Sequence, residues 1–491
     1  MSRSRREFLS DAALAAATLA ALGPVLGAAA RPAMPLQRSP NERIRAAVIG
    51  VNGQGRSHIK SLAALPDCEL AVVCDVDPRL QGSVLKYAES LGQKPAFVTD
   101  LRRVFDDPRI DVVSIATPNH WHSLAAIWAM QGGKDVYVEK PVSHNVVEGR
   151  RLVQIARKLG RIVQSGTQSR SNPGMRQLIE FLHAGKIGPI RTARGLCYKP
   201  RASIGPKTET PIPPEVDYNL WCGPAPLKPV TRARFHYDWH WFWDYGNGDL
   251  GNQGILEMDK ARWGLNQSTL PTRAWSLGGR IGYTDAGETA NTQVCFFDYG
   301  PSQLIFEVRG LRTDPLLGAK VGNIWYGPEG YVVSTSYHEG VAFTPAGEVI
   351  QKFKGGGDHY ATYNKDVRTR RRDDMHADVE EGHISSALCH LGNISLRTGQ
   401  PVSEGELTKL KRGELIVMDE DRAETLRRLA AHCQANDAAL EGLILGAWLD
   451  VDSEREIIRG NPTAADLLSR DYRKGFELPP ANAEPKAAVT P

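Results

Sequence analysis

The sequence has few of the features that mark a membrane protein or a nucleic-acid-binding protein. Its formal net charge at pH 7 is only +4 over 491 residues, too little to predict a broad basic surface for nucleic acid. Beyond the N-terminal leader, no apolar run is long enough to cross a bilayer. The length, together with an apolar content of 41%, suits a globular chain of two domains.

Cysteine is scarce and scattered. The chain has no C-x-x-C pair and no cluster with the spacing of metal ligands; its cysteines are Cys68, Cys74, Cys197, Cys222, Cys295, Cys389 and Cys433. We therefore expect neither a disulfide framework nor a metal site, and predict that most of these residues are small buried apolar groups.

The N-terminus carries the order of features that is typical of a twin-arginine export signal. An arginine pair in Ser4–Leu9 precedes an uncharged apolar run, Ala12–Leu22, and small residues follow at Gly27–Ala30. We predict a signal peptide over 1–30 and a linker over 31–42, and hence a periplasmic or otherwise exported protein. An uncleaved anchor, or an arginine pair that arose by chance, is the alternative.

From residue 43 to 166, apolar β-type runs alternate with segments of helical character. Strands are expected at 44–49, 69–74, 111–116, 135–138 and 161–165, and helices at 56–64, 79–91, 121–131 and 145–159. This alternation predicts an α/β domain with a doubly wound parallel sheet, as in a Rossmann fold.

The pattern changes after Gln168. Short alternating runs at 292–297, 303–308 and 330–334 predict antiparallel strands, and 377–398 predicts a helix. We assign 167–400 to a second domain. The segment 401–491, with a polar helix at about 419–435, is assigned to a C-terminal extension.

A glycine-bearing loop links the first strand to the first helix. Its glycines let the backbone turn tightly and bring a phosphate to the helix amides. The predicted contact residues are Gly50, Gly53, Gln54, Gly55 and Arg56. The next strand ends at Asp75, 20 residues after Gly55, where a carboxylate can bond the ribose hydroxyls and repel a 2′-phosphate. The sequence therefore predicts dinucleotide binding, with NAD favoured over NADP.

Two further motifs follow strands, where an open α/β sheet presents its binding groups. The first is predicted to contact the cofactor through Thr117, Pro118, Asn119, His120 and His122. Pro118 fixes the turn, and Asn119 and His120 can reach the nicotinamide ribose or amide. For His122 by itself, a capping or packing role is the favoured interpretation.

The second motif is Glu139-Lys140-Pro141, after the strand at 135–138. A lysine that is partly desolvated beside a cationic nicotinamide should have a lowered pKa. It can then hydrogen-bond a substrate hydroxyl and help to move its proton as hydride leaves the same carbon. Glu139 is predicted to bond the nicotinamide ribose; a surface ion pair at a turn is the alternative.

In this order the three motifs resemble those of the glucose–fructose oxidoreductase / inositol dehydrogenase / rhizopine-catabolism (Gfo/Idh/MocA) family. The resemblance extends over nearly the whole mature chain, through the segments 164–168, 218–226, 235–249, 377–383 and 472–476. It implies a Rossmann domain followed by an α+β domain with a large open, mostly antiparallel sheet. It also implies NAD(P)-dependent oxidation or reduction of sugars, polyols and related compounds, an approach of Gln168 to the nicotinamide, and a homodimer or homotetramer.

The chain departs from the family pattern at one catalytic position. The family usually has an Asp and, four residues later on the same helix face, a His that accepts the proton; these positions are Asn252 and Leu256 here. Three interpretations stay open. Lys140 works alone with water, the protein binds its ligands without efficient turnover, or a neighbouring side chain substitutes, namely His236, His240 or Tyr237.

Tryptophans alternate along one segment near these candidates. Trp239, Trp241 and Trp243 would lie on one side of a strand, where aromatic rings can stack on the apolar faces of a sugar. A satellite core beneath a long loop is the alternative.

These observations together predict an exported NAD-dependent oxidoreductase. It would transfer hydride between a sugar, polyol or glycoside carbon and a tightly held nicotinamide, with Lys140 and either His240 or His236 in proton transfer. The expected partner is a carbohydrate-type small molecule, with no nucleic acid. The alternatives are NAD-assisted glycoside cleavage with no net redox change, and a ligand-binding protein without catalysis.

Overall fold

The computed structural model describes residues 43–415 and 419–485. The predicted leader, 1–30, and the linker, 31–42, lie outside the described residues. Among the described residues, none of the helices combines the length and the apolar character that a bilayer crossing requires. All seven cysteines are described, and each is buried as a free thiol.

The first domain is built on a six-stranded parallel sheet. Its strands are β1 (Ile44–Ile49), β2 (Cys68–Cys74), β3 (Ala96–Val98), β4 (Val112–Ile115), β5 (Asp135–Val138) and β6 (Val163–Ser165). Its helices are α1 (Gly55–Ala63), α2 (Gln81–Ser90), α3 (Leu101–Asp106), α4 (Asn119–Gln131) and α5 (Val146–Leu159). The strand order β3-β2-β1-β4-β5-β6 reverses direction between β1 and β4, which is where such sheets bind dinucleotides.

Apart from the partly exposed edge strand β3, the strands of this sheet are largely buried on both faces. Alternate residues of β1, such as Ala47 and Val48, pack into two separate cores, one with α4 and α5 and the other with α1 and α2. That arrangement explains why the strands are continuous apolar runs, as expected for a parallel sheet covered by helices. The predicted doubly wound domain is confirmed.

The second domain is built on a mixed sheet of twelve strands within the described residues. Its strands are β7 (Thr192–Tyr198), β8 (Arg273–Gly279), β9 (Thr292–Asp298), β10 (Gln303–Arg309), β11 (Val321–Gly327), β12 (Gly330–Ser334), β13 (Glu339–Phe343), β14 (Val349–Lys354), β15 (Gln400–Pro401), β16 (Ile444–Leu445), β17 (Leu449–Asp452) and β18 (Ile457–Arg459). The path runs β14-β13-β12-β11-β7-β10-β9-β8-β16-β15, and β17 pairs with β8 and β18. Only β7 and β10 pair in parallel, so the expected mostly antiparallel sheet is confirmed.

Further helices follow the first domain in the chain, and several of them cover the two faces of this sheet. They are α6 (Pro173–His183), α7 (Tyr218–Cys222), α8 (Gly248–Asn252), α9 (Gly254–Gly264), α10 (His359–Thr369), α11 (Val379–Arg397), α12 (Glu404–Arg412), α13 (Glu420–Ala435) and α14 (Pro462–Asp466). Apolar residues of α6, α9 and α11 pack on one face, and those of α12 and α13 pack on the other. Tyr360 and Tyr363 of α10 pack instead in a core of the first domain.

The segment 401–491, expected to be an extension, takes part in both domains. Strands β16, β17 and β18 join the large sheet. Farther on, Phe476 packs beside Trp121 and Trp128 of α4, with ring centroids 5.7 and 6.1 Å away. This segment therefore ties the second domain to the first by tertiary contacts that local sequence patterns do not encode.

Candidate active site

A cleft of about 520 Å³ lies at the carboxyl ends of β1, β2, β4 and β5. Its opposite wall comes from α8, α9 and the aromatic segment near residue 240. The cleft brings together most of the residues predicted from the sequence: Gly50, Gly53, Gln54, Asp75, Thr117, Pro118, Asn119, His122, Glu139, Lys140, Gln168, His236 and His240. Their contacts with a cofactor stay predictions.

The glycines of the first loop have different roles. Gly50 has a φ of +82°, and a Cβ there would lie 2.7 Å from the carbonyl oxygen of Ala116. A Cβ on Gly55 would meet the carbonyl oxygen of Gly50 at 1.9 Å. Gly53, in contrast, has no protein atom within 4 Å of its Cβ position and lines the cleft. Gly50 and Gly55 therefore allow the turn, whereas Gly53 leaves space for a ligand.

Arg56 lies outside the cleft lining. Its Nη2 donates to Ser83 Oγ at 2.9 Å, and its guanidinium lies 5.9 Å from the ring centroid of Tyr87. Because its side chain is turned toward α2, the structure does not support the predicted contact of Arg56 with the cofactor.

Asp75 directly follows β2 and forms a hydrogen bond with the glycine loop. Its Oδ2 accepts from the backbone N–H of Val51 at 2.8 Å, and its Oδ1 accepts from that of Asp77 at 3.1 Å. Burial raises the pKa of Asp75, and these two hydrogen bonds oppose the shift. Each carboxylate oxygen keeps a further lone pair, so the group can still accept hydrogen bonds from a ribose.

The loop at 117–122 is held by its own side chains. The ring nitrogens of His122 lie 2.6 Å from the carbonyl oxygen of Pro141 and 2.7 Å from that of Thr117. His122 therefore braces the two binding loops against each other, which is the packing role that the residue by itself favours. The buried Oγ1 of Thr117 has no hydrogen-bond partner among the described residues.

His120 is turned away from the cleft, contrary to its predicted contact with the nicotinamide ribose or amide. It is fully buried, and its Nε2 lies 3.0 Å from the carbonyl oxygen of Trp221. Burial lowers the pKa of His120 to about 3, so its ring is neutral. His120 takes this orientation because α7 packs against the loop, and Trp221 of α7 provides the carbonyl oxygen that the ring contacts. Neighbouring Asn119 does line the cleft, and its Nδ2 donates to Asn247 Oδ1 at 3.1 Å.

Glu139 is bound on two sides by its own domain. Its Oε1 accepts from His58 Nε2 at 3.1 Å, and its Oε2 accepts from the backbone N–H of Lys140 at 3.0 Å. Burial alone would raise the pKa of Glu139, but His58 and the charge of Lys140 outweigh it and hold the pKa at about 2. His58, on α1, is a site residue that the sequence did not single out, since a lone histidine in a helix has no distinguishing pattern.

Lys140 lies between the two domains. Its Nζ donates to the backbone carbonyl of Asn252 at 2.8 Å. Burial lowers the pKa of Lys140, although the charges of Glu139 and Glu257 oppose the shift. The lowered pKa agrees with the expectation for a lysine that handles a proton.

The helix expected to carry positions 252 and 256 is broken between them. α8 ends at Asn252 and α9 begins at Gly254, and the N–H of Leu256 donates to the carbonyl of Gln253. This break leaves the Asn252 carbonyl available to Lys140. Asn252 and Leu256 both line the cleft, but they are not on one continuous helix. Leu256 supplies an apolar side chain where the family usually has a proton acceptor.

Behind Leu256 lies a buried polar group that sequence patterns did not reveal. The Glu257 carboxylate is fully buried, and burial raises its pKa to about 7. Lys260 lies 3.9 Å from it, and Gln253 lies 3.4 Å from it. The Nε2 of Gln253 also donates to the hydroxyl of Tyr337 at 2.8 Å, and Tyr337 reaches the cleft.

His236 and His240 occupy different parts of the cleft lining. Nε2 of His236 lies 2.9 Å from Asp77 Oδ2, beside the predicted ribose contact at Asp75. That bond holds His236 at the end of the cleft near Asp75, and its role in proton transfer stays a prediction. His240, in contrast, lies near Lys140. Burial is the main cause that lowers the pKa of His240 to about 3, and the positive charge of Lys140 adds to this shift.

The orientation of His240 fixes its available atom. Its Nδ1 lies 2.5 Å from the carbonyl oxygen of Tyr237, and a carbonyl only accepts, so Nδ1 carries the hydrogen. In the neutral ring, Nε2 then keeps a lone pair. His240 also stacks on Trp239, with ring centroids 3.6 Å apart.

The aromatic segment is not the strand that its alternation predicts. Asp238–Trp241 forms a short 3₁₀ helix. Trp239 and Trp241 pack in a buried cluster with Trp221 and Phe242, which is the satellite core of the alternative interpretation. Trp221 and Trp239 also reach the cleft, whereas Trp243 lines a separate cavity.

In residues 43–415 and 419–485, no group of three or more His, Cys, Asp and Glu side chains is arranged to hold a metal ion. The polar groups of the cleft are instead a lysine, imidazoles, carboxylates and backbone amides. This set can bind a dinucleotide and move a proton at a substrate oxygen.

Two family models match the chain. One is described as "Oxidoreductase family, NAD-binding Rossmann fold" (GFO_IDH_MocA) and matches residues 44–167. The other is described as "Oxidoreductase family, C-terminal alpha/beta domain" (GFO_IDH_MocA_C2) and matches residues 201–426. The matched ranges follow the parallel sheet and most of the second domain.

Two known proteins are similar in sequence to part of this chain. A glycosyl hydrolase family 109 protein of Shewanella pealeana is 32% identical over 172 residues, which cover 32% of this chain and 38% of the relative. A scyllo-inositol 2-dehydrogenase (NAD(+)) of Bacillus subtilis is 33% identical over 147 residues, which cover 30% of this chain and 42% of the relative. The chain thus spans less than half the length of either relative.

A solved structure shares the fold. The WlbA dehydrogenase from Bordetella pertussis, in complex with NADH and UDP-GlcNAcA, aligns with a TM-score of 0.54 and 21% identity. The alignment covers 72% of this chain and 97% of that structure. With both domain models matched in order and this fold shared, the chain belongs to the Gfo/Idh/MocA family of oxidoreductases, whose first domain is an NAD-binding Rossmann fold.

Proposed function

We propose that this protein is an exported NAD-dependent oxidoreductase. It transfers hydride between a hydroxyl-bearing carbon of a sugar, polyol or glycoside and a tightly held nicotinamide. The observation that carries the proposal is Lys140, whose ammonium group faces the same cleft as the glycine loop and Asp75, and whose pKa is lowered. Family membership supports the same reaction class.

The residues of the cleft fit NAD. Gly53 leaves open space at the loop, Asp75 offers carboxylate oxygens at the end of β2, and the buried Thr117 Oγ1 lacks a partner among the described residues. When bound, the nicotinamide supplies the group that accepts or gives hydride. The Asp75 carboxylate disfavours a 2′-phosphate, which supports NAD over NADP.

The chain's own side chains handle the proton. Oxidation of an alcohol removes a hydride from carbon and a proton from oxygen, and Lys140 is suited to bond and orient that oxygen. The Nε2 lone pair of His240 can then take the proton, since its Nδ1–H is held by the Tyr237 carbonyl. The low pKa of His240 keeps the ring neutral before the reaction, although the same shift weakens it as a proton acceptor. In this reading His240 compensates for Leu256.

The cofactor content of the purified mature protein tests the proposal. We expect nicotinamide nucleotide to co-purify and to be released by denaturation, where chromatography identifies it as NAD(H). Incubation with a panel of sugars and polyols should then give a keto product with matching reduction of the nucleotide. A protein that contains no cofactor and has no measurable affinity for NAD(H) contradicts the proposal.

A second candidate reaction uses the same cofactor without net redox change. The similarity to a glycosyl hydrolase family 109 protein favours it. Transient oxidation of a glycoside would assist elimination and hydrolysis, and hydride would return at the end. Product analysis separates the two reactions: a keto sugar supports the oxidoreductase, and a cleaved glycosidic bond with unchanged nucleotide supports glycoside cleavage.

A third candidate is a ligand-binding protein without catalysis, and Leu256 is the observation that motivates it. In that case Leu256→His should raise turnover from near zero, because it restores the usual proton acceptor. A robust activity of the unmodified protein that Lys140→Ala abolishes excludes this candidate.

Export and assembly belong to the proposal as well. The arginine pair Arg5-Arg6 supports twin-arginine export, and replacement by two lysines should keep the protein inside the producing cell when fractions are compared. The family resemblance supports a homodimer or homotetramer. Light scattering of the mature protein during gel filtration measures its mass, and a monomer at micromolar concentration would contradict this part.

A further inference from the structure

A second cavity, of about 570 Å³, lies beside the cofactor cleft. Two asparagines separate the two spaces: Asn119 lines the cleft, Asn247 lines the cavity, and they share a hydrogen bond of 3.1 Å. Asn247 is also held from the cavity side. Its Nδ2 donates to the backbone carbonyl of His144, and its backbone carbonyl accepts from Nδ2 of Asn393. The proposed proton and hydride transfer uses no residue of this cavity.

Two arginines line this cavity without a carboxylate partner. Arg470 donates from Nη2 to the backbone carbonyl of Asp244 at 2.9 Å and from Nη1 to His144 Nδ1 at 3.1 Å. Arg397, near the end of α11, lies with its guanidinium 5.0 Å from the ring centroid of Trp243. Within the described residues, neither guanidinium has a carboxylate oxygen within 4.0 Å. Both cations thus keep donors that are available to a ligand.

His144 adds a third donor. A guanidinium only donates, so Nδ1 of His144 accepts from Arg470, and Nε2 of the neutral ring must carry the hydrogen. That Nε2 is buried and has no hydrogen-bond partner among the described residues. A buried donor without an acceptor is costly, and a ligand oxygen would satisfy it.

The carboxylates around the cavity attract these arginines only from beyond 4.0 Å: Asp244 and Glu288 act on Arg397, and the buried Glu148 acts on Arg470. Asp244 is already paired with Lys228, whose Nζ lies 2.7 Å from its Oδ2. Asp466 and Asp471 are exposed at the rim, where water screens their charge. The inner wall therefore presents hydrogen-bond donors and positive charge, with one face of Trp243 beside them.

We propose that this cavity binds a small organic anion, namely a carboxylate- or phosphate-bearing molecule of the size of a sugar acid or sugar phosphate. Arg470 and Arg397 bind the anionic group, His144 Nε2 donates to one of its oxygens, and Trp243 forms a wall. The volume falls within the range of about 300–1,000 Å³ that small-molecule sites occupy. The site is distinct from the cofactor cleft and does not depend on the proposed redox reaction.

Isothermal titration calorimetry of the mature protein with D-glucuronate, D-glucose 6-phosphate and neutral D-glucose tests this site. We expect at least one anion to bind and D-glucose to bind far more weakly. Binding of D-glucuronate would indicate a carboxylate site, and binding of D-glucose 6-phosphate would indicate a phosphate site. Absence of binding by both anions at millimolar concentration overturns the proposal, as does equal binding of D-glucose.

Variants locate the binding event. Arg470→Met and Arg397→Met should each weaken anion binding by at least about tenfold, the loss expected for a charge-assisted hydrogen bond. Arg397 is exposed and lies over the ring of Trp243, so its replacement should leave the fold intact, which the thermal unfolding midpoint checks. The matched control is Arg109→Met, at an exposed ion pair of the first domain.

A change in the cofactor cleft gives the opposite control. Lys140→Met should retain anion binding, because Lys140 does not line the second cavity. Anion binding that is lost with Lys140→Met but kept with Arg397→Met and Arg470→Met would assign the anion to the cofactor cleft and overturn the proposal.

Discussion

Nε2 of His236 lies 2.9 Å from Oδ2 of Asp77 and joins the aromatic segment of the second domain to the loop after β2. Arg79 bonds the same carboxylate and, with His236, lowers the pKa of Asp77 to about 2, so this acid is ionised. The bond connects two walls of the cleft beside Asp75. It therefore closes the end of the cleft where a ribose would bind.

Replacement of His236 should speed the release of the cofactor. In His236→Ala, the bond to Asp77 is lost, and we expect NAD to dissociate roughly tenfold faster, as the loss of one charge-assisted hydrogen bond would predict. Stopped-flow displacement of the bound nucleotide measures this rate. His183→Ala, at an exposed histidine of α6, is the control, and equal rates in both variants would show that the bond does not retain cofactor.

Gly50 and Gly53 should respond differently to the same change. Gly50→Ala forces a side chain into φ +82° and against Ala116, so we expect a loss of at least about 1–2 kcal/mol in the free energy of unfolding. Gly53→Ala meets no protein atom, and its stability without cofactor should change by less than about 0.5 kcal/mol.

The affinity for NAD completes this comparison. Gly53→Ala should bind NAD at least about tenfold more weakly, because the added methyl group occupies the space that the loop leaves for phosphate. Urea unfolding and equilibrium titration measure the two quantities. Unchanged affinity in Gly53→Ala would separate this loop from the cofactor.

Lys140 should control both the rate and its dependence on pH. Lys140→Met is expected to lower kcat by about 10²–10⁴-fold, the usual contribution of a positioned acid or base, with little change in NAD content. Lys94→Met, at an exposed lysine, should have no such effect. Because burial lowers the pKa of Lys140, a rate that needs its charged form should fall as pH rises, beginning below the ordinary value of 10.5.

His240 should act as a base that stays neutral in mildly acidic solution. Its pKa is lowered to about 3, so the neutral form persists as pH falls from 7 to 5, where an ordinary histidine becomes charged. The pH profile of kcat/KM should therefore show no acid limb from His240 in this range. His240→Phe should lower kcat by about 10²-fold or more. An unchanged kcat would leave Lys140 and water as the proton path.

The Glu139 carboxylate should make the free energy of unfolding depend on pH in acidic solution. Its folded pKa of about 2 lies below the ordinary value of 4.5, so its stabilisation is fully present above about pH 4.5 and is lost as pH falls toward 2. The shift corresponds to about 3 kcal/mol at neutral pH, as an order of magnitude. Glu139→Gln should flatten the dependence of unfolding free energy on pH over this interval. If the unfolding free energy of Glu139→Gln depends on pH as steeply as that of the unmodified protein, other acidic residues cause the dependence.

Local sequence patterns determine most of the first domain. β1 and β5 begin and end at the predicted residues, because continuous apolar runs bounded by glycine or charge are local features. The short edge strand β3, Ala96–Val98, was not predicted, since three partly exposed residues carry too little pattern. Alternating tryptophans predict a strand at 239–243, but packing against α7 and neighbouring aromatic rings favours a 3₁₀ helix.

The sequence by itself determined the family, the glycine loop with its acid, and the position of Lys140 after β5, because each depends on residues close together in the chain. Only the tertiary structure decided what the histidines do. His120 meets a carbonyl 101 residues away, and His236 meets a carboxylate 159 residues away. An imidazole takes its role from the partner of each ring nitrogen, and those partners are brought together only when the two domains pack.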